Sequence, residues 1–172
     1  HDDFIARFDK RTREIAIGDP TAGVVYGPML DEKFGDRFTE YLGWLQPHHT
    51  VYGSTAPGRI SSEQPREGFV GDPDAGVFHH PVIADGVRED DAIFRNETFG
   101  PLVGVTTYRD LDDAIRLANL PGYGLSSAIY TTDPDEAFRF RRGVSAGMVS
   151  INNSTSGAEA HLPFGGNGKS GN

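Results

Sequence analysis

From Leu102 to Asn152 the chain alternates between short apolar runs and helix-forming stretches of about ten residues, and this alternation narrows the folds open to it. Leu102 to Tyr108 reads as a strand. Asp110 is placed to cap a helix over about 111–119, with Leu111, Ala114, Ile115 and Ala118 facing inward. Pro121-Gly122-Tyr123-Gly124 reads as a turn and Leu125 to Tyr130 as a strand. Asp133 caps the next helix, with Pro134 at the first helical position, where its missing N–H costs nothing. That helix carries Ala137, Phe138 and Phe140 to about residue 142, and Gly147 to Asn152 forms another strand. Strands alternating with short helices predict βαβ units: an α/β fold with a mainly parallel sheet flanked by helices.

The first hundred residues are less regular. Asp2 or Asp3 caps a helix with Phe4, Ile5, Phe8 and Ile15 as its apolar positions, ended by Gly18-Asp19-Pro20. After a loop over 19–28, a second helix is expected at about 31–46. Leu30, Phe34, Phe38, Tyr41, Leu42 and Leu45 form its stripe, and Pro47 stops it. Thr50-Val51-Tyr52 is a short strand. Residues 53–75, rich in Gly, Pro, Ser and charge, read as a surface excursion, and Val77 to Ala84 as a strand. No internal repeat is visible, and neither flank of the excursion is large enough to stand alone. The chain is therefore expected to be one domain over 1–172, with both ends looking cut.

Charge and composition exclude several functions. The net charge is −9, with 25 acidic against 16 basic residues, which disfavours nucleic acid and anionic membranes as partners. No apolar run approaches a membrane span, and the first residues lack the pattern of a signal peptide, so a soluble, cytoplasmic protein is expected. The chain has no Cys, which removes disulfides, thiolate metal sites and thiol catalysis within these 172 residues. The histidine pairs His48-His49 and His79-His80 are adjacent in sequence, a spacing that seldom shares a metal; they are expected at surfaces and turns, and no metal site is expected.

Candidate functional residues cluster in two places. Asn96-Glu97-Thr98-Phe99-Gly100-Pro101 places a carboxylate and a ring at the entrance of the strand starting at Leu102, where α/β folds put ligands. Glu97 reads either as a carboxylate serving a turn or as an acceptor for two vicinal ribose hydroxyls. Phe99, two residues on, would face the same side and pack on a ring of the ligand. The Gly-rich tail contains Gly166-x-Gly168-x-x-Gly171 and Gly168-Lys169-Ser170, but no strand runs into these glycines and no helix leaves them, as phosphate binding requires. Ser156 with His161 and Glu159 could form a hydroxyl nucleophile with its base, although loop hydroxyls ordinarily serve the backbone.

In order along the chain, these segments resemble the NAD(P)-dependent aldehyde dehydrogenases. Asp2-Asp3-Phe4 with Phe8, Gly18-Asp19-Pro20, Gly27-Pro28 and Asp31-Glu32-Lys33 fit that family's early helix and loop. Gly68-Phe69-Val70 and Pro81-Val82 fit its next segment, and Glu97-Thr98-Phe99-Gly100-Pro101 its Glu-x-Phe-Gly-Pro signature. Ala118-Asn119, Tyr123-Gly124-Leu125, Gly147 with Asn152, Pro163-Phe164-Gly165-Gly166 and Ser170-Gly171 complete the series. Two departures are present: Asn96 stands where the family often has a second Glu, and Lys169 follows Gly168, one residue later than the usual Lys.

The resemblance implies the C-terminal portion of an aldehyde dehydrogenase catalytic domain, with NAD or NADP as cofactor and an aldehyde oxidised to a carboxylic acid. Glu97 would bind the nicotinamide ribose and Phe99 would back the nicotinamide. Ser156 and Phe164, with the 154–162 loop, would line the aldehyde pocket. No catalytic residue is expected in the chain: the family's Cys, general-base Glu and oxyanion Asn would lie before His1. Partners would be a small aldehyde, the remainder of the dehydrogenase polypeptide, and further copies in a homo-oligomer. The 154–162 loop resembles the subgroup acting on carboxylate-bearing semialdehydes such as α-ketoglutarate semialdehyde. Alone, the chain is expected to be inactive for want of Cys, and the alternative is a non-catalytic folding or interaction module.

Overall fold

A computed structural model describes residues 1–54, 56–157 and 160–171. The residues group into two compact units, His1–Thr107 and Tyr108–Asn172.

The first unit opens with helix α1 (Asp2–Glu14), preceded by His1 rather than by a capping Asp. Asp2 and Asp3 lie in the first turn, where their charge favours the positive end of the helix. The expected apolar face is narrower than the spacing suggests: Ile5 is buried, but Phe4 is exposed and rests on the Phe8 ring at 5.7 Å. Ile15 ends α1 in extended conformation, and Ile17–Gly18 already form strand β1, so the helix stops before Gly18. A short 3-10 turn at Pro20–Ala22 follows, with Asp19 accepting from the Thr21 N–H.

Helix α2 (Glu32–Leu42) is capped by Asp31, whose side chain accepts from the Phe34 N–H at 3.1 Å. Because it starts at Glu32 and ends well before Pro47, the expected stripe is shortened. Leu30 falls outside the helix and is 82% exposed, while Phe38 and Tyr41 are buried. Strand β2 (Thr50–Tyr52) lies where expected. The supposed surface excursion contains β3 (Arg59–Ile60) and β4 (Phe69–Val70), and Ile60 is fully buried. The expected strand over 77–84 is broken by His80-Pro81 into β5 (Phe78–His79) and β6 (Val82–Asp85). Proline has no N–H to give a ladder, which accounts for the interruption. One turn of helix, α3 (Ala92–Arg95), then leads to β7 (Leu102–Val105).

Strands β2, β6 and β7 form the central sheet of this unit, with β6 parallel to β7 and antiparallel to β2. Smaller pairings join β1 to β4 in parallel and β3 to β5 antiparallel. One core cluster gathers Phe38, Tyr41, Val82, Val87, Ile93 and Leu102; a second holds Ile17, Ile60 and Phe78.

In the second unit, α4 (Leu111–Asn119) and α5 (Pro134–Gly143) are capped as expected by Asp110 and Asp133, which accept from the Asp113 and Asp135 N–H groups. Between the helices come β8 (Tyr123–Gly124) and β9 (Ser126–Ile129); β10 (Met148–Ile151) follows α5. Strands β9 and β10 pair in parallel with α5 as the crossover, the expected βαβ unit. The inward face of α4 differs from the expectation: Leu117 and Asp113 are buried and Ala118 is exposed. On α5, Phe140 is buried but Phe138 is 57% exposed. Asn119 ties the two helix ends together, donating to the Gly143 carbonyl at 2.9 Å and accepting from the Ser145 N–H at 2.7 Å.

The fold is therefore α/β, and its two longest ladders, β6–β7 and β9–β10, are parallel. The strands divide among small sheets with antiparallel additions rather than forming one sheet.

Candidate functional site

The segment holding Glu97 and Phe99 is fixed at both ends. On its N-terminal side, Asn96 closes α3: its backbone N–H and its side-chain amide both donate to the Ala92 carbonyl, at 3.1 and 3.0 Å. On its C-terminal side, Gly100 has φ +145 and lies against the buried Phe38 ring; a Cβ there would sit 2.3 Å from a Phe38 ring carbon. Only glycine is free to take that position. The Pro101 carbonyl then accepts from the Val82 N–H at 2.8 Å, starting the β6–β7 ladder. Between these anchors Glu97 is exposed, Thr98 is half-buried and Phe99 is 57% exposed.

Beside Gly100 and Pro101 lies a mainly apolar hollow of about 380 Å³, lined also by Tyr26, Pro28, Met29 and His79. The Tyr26 hydroxyl donates to the His79 carbonyl at 2.8 Å, and the Phe38 ring meets the His79 ring edge-on at 5.0 Å. Burial, and then the positive charge of Arg59, push the His79 pKa down against a smaller opposing pull from Glu32. Burial and Arg66 act likewise on His80.

The histidines depart from the expected surface positions, since His49, His79 and His80 are all buried. Adjacent His48 and His49 do converge: both Nε2 atoms meet one oxygen of Asp91, at 3.0 and 2.9 Å. The adjacency argument fails here because these residues lie on a turn, where successive side chains need not point apart. The trio is the one compact group of potential metal ligands among the described residues. Its hydrogen bonding, however, runs against ligation. The Gln46 N–H donates to His49 Nδ1 at 3.0 Å, so a neutral ring carries its proton on Nε2 and donates it to Asp91. A metal would need the Nε2 lone pair, and metal-bound histidines usually donate from their other nitrogen. Asp91 also accepts from the Arg88 N–H at 2.7 Å. Burial pushes the Asp91 carboxyl up, but the Arg88 N–H and the His49 and His48 rings together hold it well below the usual carboxylate range.

In the second unit, Ser156 and Phe164 are both exposed, Phe164 by 64%. Ser156 helps line a cavity of about 520 Å³ of mixed polarity, with Ser126, Ser150, Asn153, Ser154 and Leu162 among its walls. The Ser156 Oγ pairs with the Ser154 Oγ at 2.6 Å, and the Ser156 N–H donates to the same Ser154 oxygen. Ser156 is thus engaged within its own turn, and no hydrogen bond joins it to His161 among the described residues. Glu159, the third member of the imagined triad, lies outside the described residues.

The tail glycines allow close backbone approach. A Cβ at Gly166 would fall 2.4 Å from the Ser170 carbonyl oxygen, and one at Gly168 2.3 Å from that of Gly122. Asn167–Gly168 form strand β11, antiparallel to β8, and the Lys169 ammonium sits 4.7 Å over the Tyr123 ring. One residue whose role the sequence did not disclose is Asn152. It holds φ +54 at the end of β10, and its amide makes two hydrogen bonds with the Thr131 backbone, both at 2.9 Å. Asn is the residue most often found at positive φ outside glycine, which is the signal that could have found it.

The chain is thus an α/β protein in which an exposed Glu and an exposed Phe directly precede a parallel strand. Comparison with known proteins makes this specific: residues 1–172 match the aldehyde dehydrogenase family throughout, and the chain belongs to that family. It is 33% identical over 166 residues to the α-ketoglutarate semialdehyde dehydrogenase of Haloferax volcanii, covering 96% of this chain and 32% of that protein. It is likewise 33% identical over 172 residues to the vanillin dehydrogenase of Corynebacterium glutamicum, covering 99% and 32%. Among solved structures, betaine aldehyde dehydrogenase from Staphylococcus aureus in complex with NAD+ superposes with a TM-score of 0.83 at 26% identity, covering 99% of this chain and 32% of that one. The chain spans about a third of the length of the relatives it matches.

Proposed function

We propose that these residues form the C-terminal portion of the catalytic domain of an NAD(P)-dependent aldehyde dehydrogenase, which oxidises an aldehyde to a carboxylic acid. The observation that carries this reading is the clamped segment between Asn96 and Pro101, which holds an exposed carboxylate and an exposed ring at a strand mouth. The segment fits a dinucleotide: Glu97 accepts hydrogen bonds from the two ribose hydroxyls, and Phe99 gives the nicotinamide a face to rest on. When bound, the dinucleotide supplies the hydride acceptor. The neighbouring structure with NAD+ favours NAD as the form used.

Ser156 and Phe164 contribute to the aldehyde pocket. A carboxylate-bearing semialdehyde is the substrate proposed, on the resemblance of the 154–162 loop and the Haloferax relative. The vanillin dehydrogenase relative supplies the competing class, so a semialdehyde and an aromatic aldehyde are the pair to compare. The thiolate nucleophile comes from polypeptide outside these residues, since they contain no Cys. Alone, the chain therefore releases no NADH when given NAD+ and an aldehyde. A homo-oligomeric, cytoplasmic enzyme completes the proposal; among the described residues no helix is long and apolar enough to cross a membrane.

The test is titration of the chain with NAD+, followed by the NMR amide signals of Glu97 and Phe99. Both signals are expected to move in the wild type. Glu97→Gln removes the charge from two hydroxyl contacts, and about tenfold or more of affinity goes with them. Glu97 is exposed, and the melting temperature of the variant, measured alongside, shows whether it stays folded. An equal NAD+ response in the variant refutes the assignment.

A further inference from the structure

Asp91 acts in two ways at one point of the chain. Its side chain is buried and takes three donors on a single oxygen: the Arg88 N–H, His49 Nε2 and His48 Nε2, between 2.7 and 3.0 Å. Its backbone carbonyl accepts from the Phe94 and Arg95 N–H groups and so starts α3. Helix α3 is a single turn, too short to persist by itself. It is held by Ile93, which packs under Gly104 in the core, and by Asp91 at its N-terminus. Asn96 closes the turn, and Glu97 follows immediately.

We propose that Asp91 is a positioning residue for Glu97 and Phe99. Its carboxylate pins the turn after α2, through His48 and His49, to the start of α3, and α3 delivers Glu97 at a fixed height above the strand mouth. Gly100 and Pro101 fix the other end, so Asp91 is the anchor whose removal lets the segment slide without unravelling the sheet. The proposal rests on the reading of Glu97 and Phe99 as cofactor contacts. Hydrogen bonds to a charged acceptor are among the stronger ones in proteins, and this acceptor is largely shielded from water, so its loss is felt locally.

The test uses the 172-residue chain with Asp91→Asn, Asp91→Ala and His48→Ala. Asn keeps an acceptor oxygen without the charge. His48→Ala removes one donor at the rim and leaves the buried carboxylate satisfied by the other two, so it remains informative if Asp91→Ala does not fold. Amide hydrogen exchange at Phe94, Arg95 and Asn96 reports on α3; exchange at Val82 and Val87, which bond across β6–β7, reports on the sheet. Exchange in α3 is expected to rise about tenfold in Asp91→Ala, with Asp91→Asn and His48→Ala between it and the wild type, while Val82 and Val87 stay within about twofold. The apparent NAD+ affinity read at Glu97 and Phe99 falls in the same order. A rise shared equally by Val82 and Val87, or no rise in α3, overturns the anchoring. Selective loosening of α3 with no NAD+ response in the wild type shows instead that the cofactor reading has failed, and the proposal with it. An unchanged NAD+ affinity in a selectively loosened variant overturns the positioning role alone.

Discussion

Replacing Gly100 with alanine asks whether the Glu97 segment is placed by steric necessity. The backbone there has φ +145, and the added Cβ would lie 2.3 and 2.7 Å from two Phe38 ring carbons and 2.8 Å from the Met29 methyl. Met29 ends in a flexible thioether and can yield. Phe38 cannot, because it is fully buried within the larger core cluster. The unfavourable backbone costs about 1–3 kcal/mol, and overpacking a filled core about 1–3 kcal/mol more. The sum, roughly 2–6 kcal/mol, is a large part of the 5–15 kcal/mol typical of a folded domain. With a urea dependence of about 2 kcal/mol per molar, the unfolding midpoint should fall by about 1–3 M.

Gly23→Ala is the control. Gly23 also has positive φ, at +72, but nothing lies within 4 Å of its would-be Cβ, so only the backbone cost of about 1–2 kcal/mol applies. The double variant Gly100→Ala with Phe38→Leu completes the test: trimming the ring should make the alanine less damaging than it is beside Phe38, giving a favourable coupling. If Gly100→Ala and Gly23→Ala shift the midpoint equally, or if the double variant shows no coupling, the clash with Phe38 is not what reserves position 100 for glycine.

Two further outcomes are expected. Phe38→Ala should cost about 3–5 kcal/mol in urea unfolding, whereas Phe138→Ala, at a ring more than half exposed on α5, should stay within about 0.5 kcal/mol. On acidification, the Asp91 and Asp113 carboxyls both have pKa values lowered in the folded chain: Asp91 by its Arg88, His49 and His48 partners against the upward push of burial, Asp113 by hydrogen bonds from the Arg109 and Arg116 side chains and the Arg109 N–H. The unfolded chain therefore binds more protons as pH falls through the ordinary Asp range near 4. The stability the two carboxylates give is present above that value and is lost below it; the lowered pKa values of buried His79 and His80 add an earlier loss as pH falls below the ordinary His value of about 6.5, so melting temperatures should begin to fall there and fall more steeply below pH ~4. Asp113→Asn should flatten that drop; an identical slope in the variant would remove Asp113 from the account.

What the sequence disclosed and what it hid divide along physical lines. Asp110 and Asp133 cap helices through bonds spanning two or three residues, so adjacent residues suffice to place them, and α4 falls at the residues expected. Ile60 escaped notice because a two-residue strand leaves no periodicity, and its surroundings are the Gly, Pro and Ser of a loop; only pairing with β5, some twenty residues later, buries it. Leu30 looked like the first residue of a stripe, but the Asp31 cap starts the helix one residue beyond it. The Glu97 segment was legible by its motif. The residues that hold it, Phe38 beneath Gly100 and Val82 beside Pro101, come from distant parts of the chain.

The two buried aspartates carry this furthest. Reading α4 by apolar spacing turns Ala118 inward and leaves Asp113 outside, because a buried unpaired carboxylate is costly. The structure reverses both, and the cost is removed by Arg109 and Arg116, each within one helical turn. A pattern that scores single residues as apolar or charged cannot register that exchange, although every member lies within seven positions. For Asp91 the side-chain partners sit more than forty residues away, and these histidines are the ones that adjacency assigns to the surface. In both cases the error lies in treating a titratable side chain as a separate object. Once the donor is counted with the acceptor, an interior charge becomes a fixed point of the fold, and at Asp91 that point stands one helical turn from the residues proposed to meet the cofactor.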